Sequence, residues 1–323
     1  MNNVVVLGGG SGLSTILKGM KEIPDIDISA IVSVSDDGGS TATVRQEFKL
    51  PAVGDLRRVI VALSNSEHIL KKLMDHRFES SVKENAVFDN HSLGNLIITA
   101  LVEISGGFYE GIQNISEILN VKGSIYPVAS NPDISIKATY TDGTETVGEH
   151  HIPNINKTIK KISYINPDKI KTNPVVIEKI KKADYIVFSV GSLYTSIIPN
   201  LIAPGIKKAI IQNEKAKVIY VSNIMTQPGE THDMNLYQHI KAIEDHLEYG
   251  VIDYALVHKG KINDSIIKHY ALENSHPVLI NQEAYDSHVQ IIEMPLINNN
   301  EKIYVRHDAK KILKAFCNIF ERE

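Results

Sequence analysis

The sequence predicts an α/β protein: a Rossmann-like, three-layer α/β/α fold with a mainly parallel sheet. Short apolar runs alternate with amphipathic segments of helical period along most of the chain, and each unusual loop follows such a run. Between about residues 121 and 172 the texture changes to strict alternation around Asp142-Gly143, which predicts a small antiparallel insertion. Residues 1–323 read as a single domain, with no linker, internal repeat or low-complexity tract.

The first element is "VVVLGGGSGLSTILKGM". Three branched residues and a leucine form a buried strand, the glycines end it, and Leu13, Ile16, Leu17 and Met20 recur at helical spacing. A second strand, "IDISAIVSVS", ends on Asp36, Asp37, Gly38 and Gly39. Asp55 is placed to cap the helix "LRRVIVALS". "HSLGNLIITALVEIS" is a further helix, with Leu93, Leu96, Ile97, Ala100 and Leu101 expected to face inward, and a short helix covers about residues 111–119. After the insertion come the helix "PVVIEKIKKA", the strand "DYIVFSV" and the loop "GSLYTSIIP". A helix near "PGIKKAII", the strand "KVIYVSN", the loop "IMTQPGETHD", a helix over 236–246 and the strand "VIDYALVH" follow. The amphipathic "KKILKAFCNIF" ends the series, with Cys317 expected as a small buried hydrophobe.

Composition narrows the function classes. A formal charge of −4 gives no general attraction for nucleic acid. The single cysteine cannot form an internal disulfide, and "MNNVVVLGGG" lacks the basic start of a secretion signal, so a cytoplasmic protein is expected. No apolar run approaches the length of a membrane span.

The loops carry the chemistry. Residues Gly8 to Gly12 open a helix, where free N–H groups and the positive end of the helix dipole favour a phosphate; a plain tight turn is the alternative. Gly8 and Gly10 fit the dinucleotide pattern G-x-G-x-x-G, but its third position falls on Leu13, so NAD is a weaker candidate ligand. Asp36 and Asp37 are placed to hold ribose hydroxyls, to bind Mg²⁺, or to cap a turn. Gly191 permits close approach, while Ser192, Thr195 and Ser196 can donate to phosphate or sugar oxygens. Asn223 to Thr231 mixes polar types with no packing rationale and reads as a ligand-facing loop. His91 and Asn95, four residues apart, can point into one cleft, whereas His150, His151 and His232 form no metal-ligand pattern and are expected in surface or structural roles.

Taken in order, "VVVLGGGSGL", "SDDGGS", "GDLRR", "HSLGNL", "GSLYTSIIPNL" and "SNIMTQPGETHD" resemble the gluconeogenesis factor (YvcK-type) family, in the superfamily of 2-phospho-L-lactate transferase. The resemblance covers essentially the whole chain. It implies a regulator that binds a nucleotide-sugar, UDP-N-acetylglucosamine or UDP-glucose, and supports cell shape and growth under gluconeogenic conditions, without established catalysis. It further implies cell-envelope synthesis proteins as partners and a homodimer as the assembly. On this reading Gly8, Gly9, Gly10, Ser11 and Gly12 meet the diphosphate. Asp36, Asp37, His91, Asn95, Gly191, Ser192, Leu193, Thr195 and Ser196 line the cleft. Asn223, Met225, Thr226 and Gln227 close it, and Tyr270 and Arg306 engage the nucleotide-sugar. The transferase branch implies Mg²⁺ at the Asp36-Asp37 segment and a phospholactate-type transfer as the alternative activity. The chain departs from the family pattern in three places: Val190 precedes Gly191 where proline is usual, Ala42-Thr43 stand for Gly-Arg, and Arg58 stands for asparagine.

Overall fold

The computed structural model describes residues 1–66, 68–79, 89–298 and 303–321. Seven of its strands are β1 (Asn2–Gly8), β2 (Ile26–Val32), β3 (Ser124–Pro127), β7 (Tyr185–Phe188), β8 (Lys217–Val221), β9 (Tyr254–His258) and β10 (Gln290–Met294). They form a central sheet in the order β10-β9-β8-β7-β1-β2-β3, and all of its pairings are parallel. The other three, β4 (Ile136–Tyr140), β5 (Glu145–Val147) and β6 (Ile159–Tyr164), make a separate antiparallel sheet in the order β5-β4-β6. Val4 to Leu7 are at most 1% exposed, as a strand covered by helices on both faces must be.

The helices are α1 (Gly10–Met20), α2 (Gly39–Phe48), α3 (Gly54–Leu63), α4 (His68–Asp75), α5 (Leu93–Ser105), α6 (Phe108–Ile118) and α7 (Pro174–Lys181). They continue with α8 (Ile198–Leu201), α9 (Ile206–Gln212), α10 (Leu236–His246), α11 (Asp264–Leu272), α12 (Gln282–Tyr285) and α13 (Ala309–Phe320). On α1, the expected Leu13, Ile16, Leu17 and Met20 are fully buried. Cys317 on α13 is half-buried against the core. Among the described residues no helix is long and apolar enough to cross a membrane.

Three details depart from the sequence reading. Ser124–Pro127 is not part of the antiparallel insertion but extends the main sheet beside β2, so the small sheet spans only Ile136 to Tyr164. On α5 the buried residues are Gly94, Asn95, Ile98, Thr99 and Val102; Leu93, Leu96, Ile97 and Leu101 are half-buried and Ala100 is exposed. That helix is apolar nearly all round, so periodicity alone does not choose its inner face. The stretch after β7 is not an open loop. Leu193–Ile197 forms a wide helical turn in which the Ser192 carbonyl accepts from both Ser196 N–H (2.9 Å) and Ile197 N–H (3.1 Å), and it runs into α8.

The order of strands positions the site. From β1 the chain runs to β2 and β3 on one side, while β7 to β10 fill the other, so the direction of winding reverses between β1 and β7. A crevice opens at the carboxyl ends of strands at such a reversal, and the loops after β1 and β7 flank it.

Candidate functional site

Two cavities meet over this reversal point. The first, about 520 Å³, is lined by residues including Gly9, Gly10, Asp36, Asp55, Glu149 and Ser196. The second, about 330 Å³, is lined by residues including Asn223, Met225, Thr226, Gln227, Tyr270 and Arg306. They share Ser11, Gly12, Gly191 and Ser192, which form a ridge between them.

The ridge is tight. A Cβ on Gly12 would lie 2.1 Å from the Val190 carbonyl oxygen, so the α1 loop and the β7 loop touch backbone to backbone. Gly10 adopts a φ of 60°, the left-handed region that favours glycine. Side chains fasten the arrangement: Asn200 Nδ2 donates to the Gly8 carbonyl at 3.0 Å, while Asn223 accepts from Gly191 N–H (3.2 Å) and donates to the Gly191 carbonyl (2.8 Å). Gly8 itself lies against Ser189 beneath the cavity floor.

Asp55 does not cap α3, whose N-cap position is Val53. Its buried carboxylate instead accepts from Gly10 N–H at the start of α1 and from Arg58 Nη1 at 3.0 Å. Burial, reinforced by the Asp36 carboxylate, pushes Asp55 up to about 6 despite the Arg58 guanidinium. The protein thus places its own anion at one N–H of the glycine loop. By helix geometry the N–H groups of Ser11 and Gly12 have no intrahelical carbonyl to serve, and these two residues form the ridge.

The aspartate pair separates. Asp36 accepts from Gly38 N–H at 3.0 Å and lines the first cavity, whereas Asp37 turns away to accept from His150 N–H at 2.8 Å. Adjacent carboxylates in extended backbone point to opposite sides, so the pair does not converge on one ion. Among the described residues no three His, Cys, Asp or Glu side chains are grouped to hold a metal. Opposite Asp36, Glu149 accepts from Ser35 Oγ at 2.7 Å, and burial together with Asp36 and Asp55 holds its carboxyl well above the usual range. Arg58 and Arg77 bring positive charge to the same cavity, and Gly39, Ser40 and Thr41 open α2 onto it. Two arginines thus line this cavity although Ala42 and Thr43 bring no cation, and one of them, Arg58, is paired with Asp55.

His91 and Asn95 do come together, on one atom: His91 Nδ1 lies 3.3 Å from Ser40 Oγ and Asn95 Nδ2 donates to that oxygen at 3.4 Å. They support the wall of the first cavity from behind. Leu193 and Thr195 do not reach either cavity. Leu193 is fully buried, and the Thr195 hydroxyl donates to Glu230 Oε1 at 3.0 Å. Ser192 Oγ donates to Gln227 Oε1 at 3.0 Å, which ties the ridge to the closing loop. Thr226 is buried and its hydroxyl accepts from His276 N–H at 2.9 Å, so it anchors that loop while lining the second cavity.

At the far end of the second cavity, the Tyr270 hydroxyl oxygen faces Val305 N–H, next to Arg306. Asp308 is not a partner for Arg306: its carboxylate caps α13, accepting from Lys310 N–H (2.9 Å) and Lys311 N–H (3.1 Å). His307 donates to the Ser222 carbonyl, and burial lowers it to about 4, so it stands neutral there. Sequence reasoning missed Ser40, Asp55, Arg58, Arg77, Glu149, His150 and Glu230 as cleft or cleft-supporting residues. Ser40 directly follows the "DDGG" turn, Asp55 and Arg58 lie in "GDLRR", and Glu230 lies in the loop read as ligand-facing; Arg77, Glu149 and His150 carried no signal for the cleft.

A parallel sheet with phosphate-competent loops over its winding reversal defines the class, and a family model described as 2-phospho-L-lactate transferase CofD matches residues 4–297. Within that class the chain belongs to the gluconeogenesis factor family. It is 42% identical over 314 residues to the gluconeogenesis factor of Halalkalibacterium halodurans, covering 97% of this chain and 95% of that one. It is 38% identical over 319 residues to the gluconeogenesis factor of Bacillus subtilis, covering 98% of each. The crystal structure of a Bacillus halodurans protein superposes with a TM-score of 0.92 at 40% identity, covering 98% of this chain and 99% of that one.

Proposed function

We propose that this chain is a nucleotide-sugar-binding regulator with a gluconeogenesis-related role, the role its relatives' name denotes. The observation that supports this most is the pairing of two unlike cavities across one ridge. A diphosphate at Ser11, Gly12 and Ser192 would leave a nucleoside beside Tyr270 and a hydroxyl-rich sugar beside Asp36, Glu149 and Ser40. Arg306, exposed at the rim of the second cavity with its neighbour Asp308 engaged elsewhere, supplies a guanidinium for phosphate. Cytoplasmic location, action on cell shape, envelope-synthesis partners and a homodimer belong to the same proposal.

A transferase of the 2-phospho-L-lactate type is the second reading. The Asp55 carboxyl, pushed up to about 6 beside the ridge, favours it, since such a group can exchange a proton near neutral pH; Glu149 nearby is raised by burial as well. Calorimetry with UDP-glucose and UDP-N-acetylglucosamine, with and without Mg²⁺, tests the first reading: a Kd on the micromolar scale, about −8 kcal/mol, is expected. Absence of heat and of any melting shift with either sugar at millimolar concentration refutes it. Turnover of the bound nucleotide-sugar with Mg²⁺ and a phosphorylated acceptor would replace it with the second.

A further inference from the structure

We propose that Glu230 is the positioning residue of this cleft, a single carboxylate that locks the helical turn after β7 to the loop after β8. It is 2% exposed, yet it touches no cavity and is spent entirely on internal donors. Oε2 accepts from Tyr194 N–H at 3.1 Å; Oε1 accepts from the Thr195 hydroxyl and from Gln227 Nε2, each at 3.0 Å. Two of these donors lie on the helical turn and one on Glu230's own loop. Gln227 then accepts from Ser192 Oγ at 3.0 Å. Ser192 on the ridge and Gln227 on the closing loop therefore take their places from one buried group.

The carboxylate also occupies the opening N–H groups of the helical turn, as a ligand phosphate otherwise would. Burial favours its neutral form and the donors favour its ionised form, leaving it near neutrality, pushed up to about 7. The ionised form serves these three donors, and the Ser192 hydroxyl and Thr195 N–H favour it as well; a proton on either oxygen removes an acceptor site. The other titratable groups that face it are Tyr194 on the turn and Glu149 across the first cavity. The clamp is thus fully closed above neutral pH.

The consequence for ligand binding rests on the nucleotide-sugar reading, but the clamp itself is measurable without ligand. In the whole protein, the Tyr194 amide and the Gln227 side-chain amide are expected to titrate together in ¹H–¹⁵N spectra, with a midpoint near 7. Glu230→Gln should abolish that titration, and Thr195→Val, which deletes one donor, should move the midpoint upward. UDP-glucose affinity should rise several-fold from pH 6 to pH 8 in the wild type and stay flat in Glu230→Gln, with at least a fivefold loss at pH 8. Titration that persists in Glu230→Gln, or a midpoint unmoved in Thr195→Val, overturns the clamp. Absence of UDP-glucose binding in the wild type, with the amide titration intact, overturns only the nucleotide-sugar reading.

Discussion

Replacing Asp55 by asparagine should change how stability depends on pH, by an amount the site itself sets. The wild-type carboxyl rises from an ordinary 3.8 to about 6 on folding, because burial and the Asp36 carboxylate oppose its ionisation more than Arg58 and Gly10 N–H favour it. Below about pH 4 the group is protonated in both states and contributes no slope. Between there and about 6 the folded chain holds a proton that the unfolded chain has lost, so stability falls as pH rises. Above about 6 the full cost has accrued, at most about 3 kcal/mol at roughly 1.4 kcal/mol per unit. The asparagine side chain cannot ionise, so the stability of Asp55→Asn relative to the wild type should climb by up to that amount between about pH 4 and pH 7. Urea denaturation at closely spaced pH values measures the difference directly. Removing the guanidinium with Arg58→Ala should carry the wild-type midpoint higher still. Parallel pH profiles for the wild type and Asp55→Asn would refute the reasoning, since they would mean that the carboxyl titrates as in the unfolded chain.

The remaining predictions concern the ridge and its surroundings. Gly12→Ala should destabilise the fold by about 1 to 3 kcal/mol and abolish UDP-sugar binding, because the new methyl meets the Val190 carbonyl and forces the loops apart; differential scanning calorimetry and titration check both effects. Arg306→Ala should weaken UDP-sugar binding by about 1.5 to 3 kcal/mol with an unchanged Tm, whereas Asp308→Ala should lower stability by about 1 kcal/mol with unchanged binding, since it removes a cap. In cells, Arg306→Ala should fail to restore growth on gluconeogenic carbon sources. Asp37→Asn should leave Mg²⁺-dependent and Mg²⁺-free binding equally intact by calorimetry, because Asp37 faces His150 N–H outside the cavities.

Much of this architecture was legible in the residues. An apolar run followed by glycines marks a strand that must stop and turn, so the loops after β1 and β7 declared themselves, as did the hairpin at Asp142-Gly143, where Asp142 accepts from Thr144 N–H at 2.9 Å. The inner face of α5 was not legible, because leucines and isoleucines surround it and only tertiary contact decides that Asn95 turns inward. Nor was the separation of Asp36 from Asp37. Adjacency in sequence reads as a pair, while the backbone sends one side chain to the cavity and the other to His150.

The buried acids were the least legible part, for a reason that bears on the site's chemistry. In a local window, Asp55 in "GDLRR" reads as a helix cap, Glu149 in "VGEHH" as part of the hairpin insertion, and Glu230 in "PGETHD" as one polar residue of a ligand-facing loop, none of them as a buried acid. Each becomes unusual only through donors or charges far away in sequence: Gly10 for Asp55, Ser35 for Glu149, Tyr194 and Thr195 for Glu230. Two of them sit where a helical segment offers free N–H groups, Asp55 at the start of α1 and Glu230 at the turn after β7. One N–H of the glycine loop is therefore taken from within, and on the proposed reading a ligand diphosphate would be met by what remains, the N–H groups of Ser11 and Gly12 and the exposed guanidinium of Arg306. Each of these buried carboxylates costs free energy to ionise, a cost that its fixed donors offset in part.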